Sequence, residues 1–224
     1  MLWHQDLKQE ANEKFMALPL TQSSYTVFEP DFSEGLQTVK VDIQGDAKNL
    51  NENLHDEQVK KYLGSVVGSD DKLSAFNLAN FSGGIFIHVP KNETKSAACT
   101  LSATASSVCR SLVILERGAE LNLFIDLSST QGHFSEVIEA IVGEESRLNI
   151  AIIQDISKDS IHSASRKVLL SRNSKVSWSV LNVGSKLTKS RRETILAGEG
   201  SEVVTQYRKA QCQGAAKACR LGSS

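Results

Sequence analysis

The chain has 224 residues, with 25 Lys and Arg against 26 Asp and Glu, five His, four Cys and three Pro. At ~100–200 residues per domain this is one large domain, or one domain with an appendage, long enough to bury a core. A net charge of −1 excludes a dedicated binder of nucleic acid or of an anionic membrane, which needs a Lys/Arg surplus to neutralise phosphates. No apolar run approaches the ~18 residues of a membrane span.

The opening MLWHQDLKQEANEKF lacks the apolar core of a secretory signal and is too acidic for a transit peptide, so the expected compartment is the cytoplasm. Within it Trp3, Leu7, Ala11, Phe15 and Leu18 recur at helical spacing, and Pro19 ends the segment. A polar, strand-poor stretch is expected to about residue 50. Two short helices follow, Glu52–Leu63 ending at Gly64 and Asp70–Asn80 capped around Ser69-Asp70. Gly83-Gly84-Ile85-Phe86-Ile87-His88-Val89-Pro90 reads as a strand stopped by proline, the last proline of the chain.

Beyond it lies a repeat. Leu121, Leu148, Val176 and Val203 each follow a small turn, at Gly118, Glu145, Asn173 and Gly200, and open a strand; they fall 27, 28 and 27 residues apart. Alternate positions share one face of a strand. One face holds Leu121/Leu123/Ile125, Leu148/Ile150/Ile152, Val176/Trp178/Val180 and Val203/Thr205/Tyr207, apolar except for Thr205. Each turn is preceded by a second short strand, ending at Ile114-Leu115, Ile141-Val142, Leu169-Leu170 or Leu196-Ala197. A fixed period of 20–50 residues means stacked supersecondary units. With β-type content the fold class is mainly β, a right-handed parallel β-helix or β-solenoid core with a small N-terminal helical region; hairpins stacked into a sandwich are the structural rival. Stacking predicts aliphatic ladders inside and polar ladders outside, such as Asn122 over Asn149. The expected division is 1–82 helical and irregular, 83–208 solenoid, and 209–224 a disordered or aberrant tail.

Chemistry is sparse. No nucleophile elbow, phosphate loop, zinc-protease motif or dinucleotide fingerprint is present. Cys99, Cys109, Cys212 and Cys219 lack zinc or disulfide spacing and read as idle thiols. His133 and His162 read as solvated loop residues between coils, as do Lys186, Lys189, Arg191 and Arg192, for which an anion site is the sharper alternative. Asp126 and Asp155 occupy nearly equivalent places after successive strands, a weak paired-carboxylate signal that a glycosidase would need to support with aromatic platforms.

Several runs resemble a known family. Gly83-Gly84-Ile85-Phe86-Ile87-His88-Val89-Pro90-Lys91, Ser111–Leu121, Glu136-Val-Ile-Glu139-Ala-Ile-Val and Leu148–Gln154 are similar, in order and spacing, to the core of the SufB/SufD iron–sulfur cluster assembly proteins. The head, Phe15-Met-Ala-Leu-Pro19 followed by Tyr25-Thr26, looks more like SufD, without the Trp of that motif. The resemblance, over about residues 10–208, implies a non-enzymatic scaffold or accessory subunit. It would pair with a SufB-like protein through the β-helical core and couple to a SufC-like ATPase through C-terminal helices. The iron–sulfur cluster would belong to the complex, with no cofactor tightly bound by this chain.

Family members run to roughly twice this length. The ending from Gln211 to Ser224 has no strand alternation and reads as a truncation, a frameshift or an incomplete gene. The family's cluster ligands would lie in the missing part. Cys212 is the one metal-site candidate, bordering the subunit interface. An open last coil at Val203–Tyr207 predicts self-association. The alternatives in function are a β-solenoid carbohydrate-active enzyme or adhesin using Asp126 and Asp155, and an inactive fragment.

Overall fold

In the computed structural model, residues 2–20, 28–32, 35–212 and 219–223 are described, with side chains as far as 208. In chain order the elements are α1 (Trp3–Ala17), β1 (Lys40–Gly45), β2 (Lys48–Asn49), a 3-10 turn (Asn51–Asn53), α2 (Glu57–Tyr62), α3 (Lys72–Asn80) and β3 (Ile85–Val89). Ten strands follow: β4 (Thr94–Ala103), β5 (Ser107–Leu115), β6 (Glu120–Ser129), β7 (Gly132–Val142), β8 (Arg147–Ile156), β9 (Ser160–Leu170), β10 (Lys175–Gly184), β11 (Leu187–Leu196), β12 (Glu202–Cys212) and β13 (Cys219–Ser223).

The strands alternate between two sheets. One runs β1-β4-β6-β8-β10-β12-β13, the other β11-β9-β7-β5-β3-β2. Strands of successive coils pair in parallel, so the chain winds as a β-solenoid and the hairpin sandwich is excluded. The sequence repeat is the register itself: Leu121 pairs with Leu148, Leu148 with Val176 and Val176 with Val203. Inside, Leu121, Ile125, Leu148, Val176 and Trp178 are fully buried in one aliphatic core that joins both sheets. Outside, Asn149 Nδ2 donates to Asn122 Oδ1 at 2.9 Å, the expected polar ladder.

The turn between the sheets repeats as well. Asn92, Gly118, Glu145, Asn173 and Gly200 all take left-handed φ, between 54° and 72°. Four of their N–H groups donate to the next coil: Asn92 to the carbonyl of Arg117, Gly118 to Glu144, Glu145 to Arg172 and Asn173 to Glu199. A left-handed corner that suits Gly and Asn thus also closes the coil-to-coil ladder.

Parallel sheets are stable when both faces are covered. The outer face of the β3–β11 sheet is covered by the N-terminal helices, where Phe76, Leu78 and Phe81 of α3 and its end pack with Val108, Leu112 and Ile114. Asp71, not Asp70, caps α3, accepting from the Leu73 and Ser74 N–H groups at 3.0 Å each. Lys72 reaches across to the last carbonyls of α1, Phe15 and Leu18, at 2.9 Å each.

Several expectations need correction. The stretch before residue 50 holds β1, an antiparallel edge strand on β4; its two half-buried residues, Val41 and Ile43, suffice because only one face touches the core. The first helical candidate divides into the 3-10 turn and α2, which Asp56 caps. The strands preceding the turns are nine to eleven residues long, not short. β12 continues to Cys212 and pairs with β13, although residues 213–218 of the expected tail lie outside the described residues.

Candidate functional site

Charged residues interrupt the apolar runs of β5, β7 and β9, and alternation decides which way each points. On β7, Phe134, Glu136 and Ile138 face the solenoid interior, whereas His133, Ser135 and Glu139 face the helices. Two buried ionic groups result, back to back across one strand.

The outward group is a clamp. Glu139, fully buried, accepts from Arg110 Nε at 3.0 Å and from the N–H groups of Gly64, Val66 and Val67 at 2.9, 3.2 and 3.2 Å. Arg110 also donates to Asn77 Oδ1 at 3.2 Å and to the Val67 carbonyl. One carboxylate therefore fixes the α2–α3 loop to the sheet. Beside it His133 stacks on Phe76, and its Nε2 lies 2.7 Å from Ser163 Oγ. Burial, helped by the nearby His162, pushes the His133 imidazole down to about 4, so at neutral pH it is uncharged.

The inward group fills the far end of the coils. Arg166 donates to both oxygens of Glu136, at 2.9 and 2.7 Å, and reaches across the interior to Gln154 Oε1 at 3.3 Å. Burial pushes the Glu136 carboxyl up, but the Arg166 charge and the contacts from His162 and Arg166 outweigh it and hold the group at about 2. His162 Nε2 sits 3.3 Å from Glu136 Oε2 without hydrogen-bond geometry; burial lowers its pKa despite that neighbour. Cys109 lies opposite Glu136 in the ladder, and burial followed by the Glu136 charge raises its thiol well above normal.

Six buried polar atoms at this end have no hydrogen-bond partner among the described residues: Gln154 Nε2, both ring nitrogens of His162, Trp178 Nε1, Asn182 Oδ1 and Arg192 Nη1. A cavity of about 780 Å³ opens at the edge of this group, lined among others by Asn182, Thr188, Ser190 and Tyr207; Asn182 is the residue the two share. The interior is thus aliphatic toward the left-handed corner and polar toward the opposite turn. An uncompensated buried polar atom costs ~1–3 kcal/mol, so this side of the interior calls for water or polar groups.

The residues singled out in the sequence fall as follows. His133 and His162 are strand residues at 3% and 0% exposure, not loop residues; the strands before each turn extend further than their apolar ends suggested. Lys189, Arg191 and Arg192 likewise sit on β11, with only Lys186 in the connection. Asp126 and Asp155 lie within β6 and β8, and the ladder sets Asp126 against Ile153 and Asp155 against Ser128, so they are two positions out of step. Cys99 and Cys109 are buried free thiols, with Cys99 raised by burial to about 11. Cys212 ends β12, and its side chain lies outside the described residues. Among the described residues no group of three His, Cys, Asp or Glu is placed to hold a metal. Two isolated, protonated thiols do not fit an iron–sulfur cluster, which needs thiolates.

Comparison with known proteins decides the family. The SufBD core domain of the SUF system for FeS cluster assembly matches residues 98–210, just over half of the chain. The chain belongs to the SufB/SufD family. It is 30% identical over 203 residues to an iron–sulfur cluster assembly SufBD family protein of Staphylococcus saprophyticus, covering 86% of this chain and 43% of that protein. Proteins of the same description from Staphylococcus haemolyticus and Staphylococcus aureus are 28% and 29% identical over the same length. This SufBD chain therefore spans less than half the length of the curated relatives it matches. The match runs from within β4 to within β12, the coils that carry both ionic groups. Neither ion pair was anticipated from the sequence, although the signal was there: Arg110, Glu136 and Glu139 each stand inside an otherwise apolar strand run, where a charge must find a partner.

Proposed function

We propose that this SufBD chain is the core of a SufD-like scaffold or accessory subunit of the SUF machinery, without catalytic activity of its own. It would work in the cytoplasm, pairing with a SufB-like subunit through the solenoid. In the whole protein it would be coupled to a SufC-like ATPase, with the iron–sulfur cluster as the product of the complex. One observation carries the reading: the SufBD core match over residues 98–210 falls on coils that pair in parallel as one solenoid. The SufD-like head segment, Phe15–Pro19, agrees. Among the described residues β11 bonds only to β9, and Ile195, Leu196, Val203 and Val204 at this open rim are 41–54% exposed.

The test is coexpression of the full-length gene product with SufB-like and SufC-like proteins. A three-component complex is the expected result. A stable complex with the ATPase alone, or sulfur loading onto Cys109, would assign the SufB-like role instead. No observation favours a carbohydrate-active enzyme, since its two candidate carboxylates are out of step on the ladder.

A further inference from the structure

The solenoid is covered on one side only. The N-terminal helices lie over the β3–β11 sheet, whereas among the described residues no helix packs over the outer face of the β4–β12 sheet. A parallel sheet normally has both faces covered.

Alternation and register arrange that bare face in rows across the coils. One row is Thr100, Asp126, Ile153, Leu181 and Arg208. The row beside it, toward the left-handed corner, is Ala98, Phe124, Ala151, Ser179 and Gln206. Nearer still to the corner lies the polar Asn122–Asn149 pair. The two named rows carry bulk instead. Phe124 is 38% exposed, with an alanine on either side of it, and Ile153 and Leu181 are half-buried.

The first row also carries opposite charges toward its two ends. Asp126 stands on β6 and Arg208 on β12, with Ile153 and Leu181 between them. Neither has an ion pair among the described residues, unlike Lys175, which holds Glu202 at 3.0 Å. A sequence of acid, apolar, apolar and base is complementary to its own reverse. A two-fold axis along the strands, between β8 and β10, performs that reversal. It sets Asp126 of each copy against Arg208 of the other and Ile153 against Leu181, so each pair is made twice. On the same axis the corner row of Glu120, Arg147, Lys175 and Glu202 brings like charges together and therefore forms a solvated margin. Asp155, exposed in the row nearest the opposite turn, lies at the other margin.

We propose that this face is the interface of a symmetric dimer of this chain, packed sheet on sheet. Five strands ~4.8 Å apart and four rows ~6.6 Å apart give a footprint of about 600 Å² per copy. Both copies together reach the low end of the ~1,200–2,000 Å² buried by specific interfaces, so the contact is a weak one, of roughly micromolar strength. The face is separate from the rim at β11 and does not rest on the scaffold reading.

The test is sedimentation velocity from ~1 to 200 µM on the 224-residue chain carrying I195K/L196K, which removes the exposed rim contact. A monomer–dimer equilibrium is expected to persist. D126R and R208D should each weaken it at least about tenfold, with unchanged circular dichroism as the check on folding. Mixing the two single variants should restore association, because in the mixed dimer both contacts again join opposite charges. F124S should weaken the dimer as well. A monomer throughout, unchanged association in folded D126R or R208D, or no association on mixing them would overturn the proposal.

Discussion

Replacing Glu139 by Gln keeps its volume and removes its charge. Four donors converge on that carboxylate, and one of them is the guanidinium of Arg110, at zero exposure. The amide oxygen can still accept from one or two loop N–H groups, but its NH₂ then faces donors. Breaking a buried ion pair on one side costs about 3–5 kcal/mol, because the remaining charge stays desolvated. The retained acceptor places E139Q near the lower end, about 3 kcal/mol. Against a total stability of ~5–15 kcal/mol, at ~2–4 °C per kcal/mol for a chain of this size, Tm falls by roughly 6–12 °C. Urea unfolding followed by the fluorescence of the buried Trp178 reads the change, with an unaltered slope if the two-state description holds. R110M/E139Q should recover more than half of the loss, since the stranded charge is gone. A loss under ~1 kcal/mol in E139Q, or a double mutant no better than the single, would refute the clamp as an electrostatic device and leave it a packing feature.

Acid should destabilise the fold in two steps. His133 sits at about 4 in the folded chain against its usual 6.5, and burial lowers His162 as well, so the unfolded state takes these protons first and stability falls below pH 6.5, by up to roughly 3 kcal/mol from His133 alone. Glu136 sits at about 2 against 4.5; its contribution is present above pH 4.5 and is lost between 4.5 and 2. A urea midpoint that is flat from pH 7 to 5, or an upper step in H133N as large as in the parent chain, would contradict this assignment. Gly84 has φ 142°, and a Cβ there would lie 1.7 Å from the Arg110 carbonyl oxygen, whereas at Gly118 it would meet only the side-chain end of Asn92, at 2.3 Å. G84A should therefore abolish soluble folded protein while G118A costs about 1–2 kcal/mol, and equal melting temperatures would contradict the difference. The open rim predicts concentration-dependent association in sedimentation at micromolar protein, reduced by I195K/L196K; a clean monomer in the parent chain removes that expectation.

The solenoid was legible because its physics is repetitive. One aliphatic face per strand, one small or Asn corner and one period specify a coil, and the next coil repeats the same information, so Leu121, Leu148, Val176 and Val203 carried the register without a structure. β1 was not legible for the opposite reason: an edge strand with one half-buried face needs only Val41 and Ile43. The histidines misled because strand length was judged from apolar ends. β7 and β9 continue through His133, Ser135, His162 and Ser163, which are polar yet buried by contacts from α3 and from the interior, and no local pattern carries that information.

The contrast inside one solenoid bears on what the core is for. At the corner end each strand contributes aliphatic residues to the interior, ending in Leu115, Val142 and Leu170, all buried. That is the cheap way to make a stiff rod, since van der Waals packing and water exclusion suffice. At the other end the same strands bring in Cys109, Glu136, His162 and Arg166, with Gln154 and Asn182 from the facing sheet. A buried ion pair is often no more stabilising than an apolar pair of the same volume, and the unpartnered donors around it cost further free energy. Stiffness alone therefore does not account for the polar end. The polar residues run along the turn side of the coils from Cys109 to Asn182, where a cavity of about 780 Å³ opens, whereas the exposed Ile195, Leu196, Val203 and Val204 flank the Gly200 corner on the aliphatic side. Water held on that side of the interior would offset part of this cost at Gln154, His162 and Trp178.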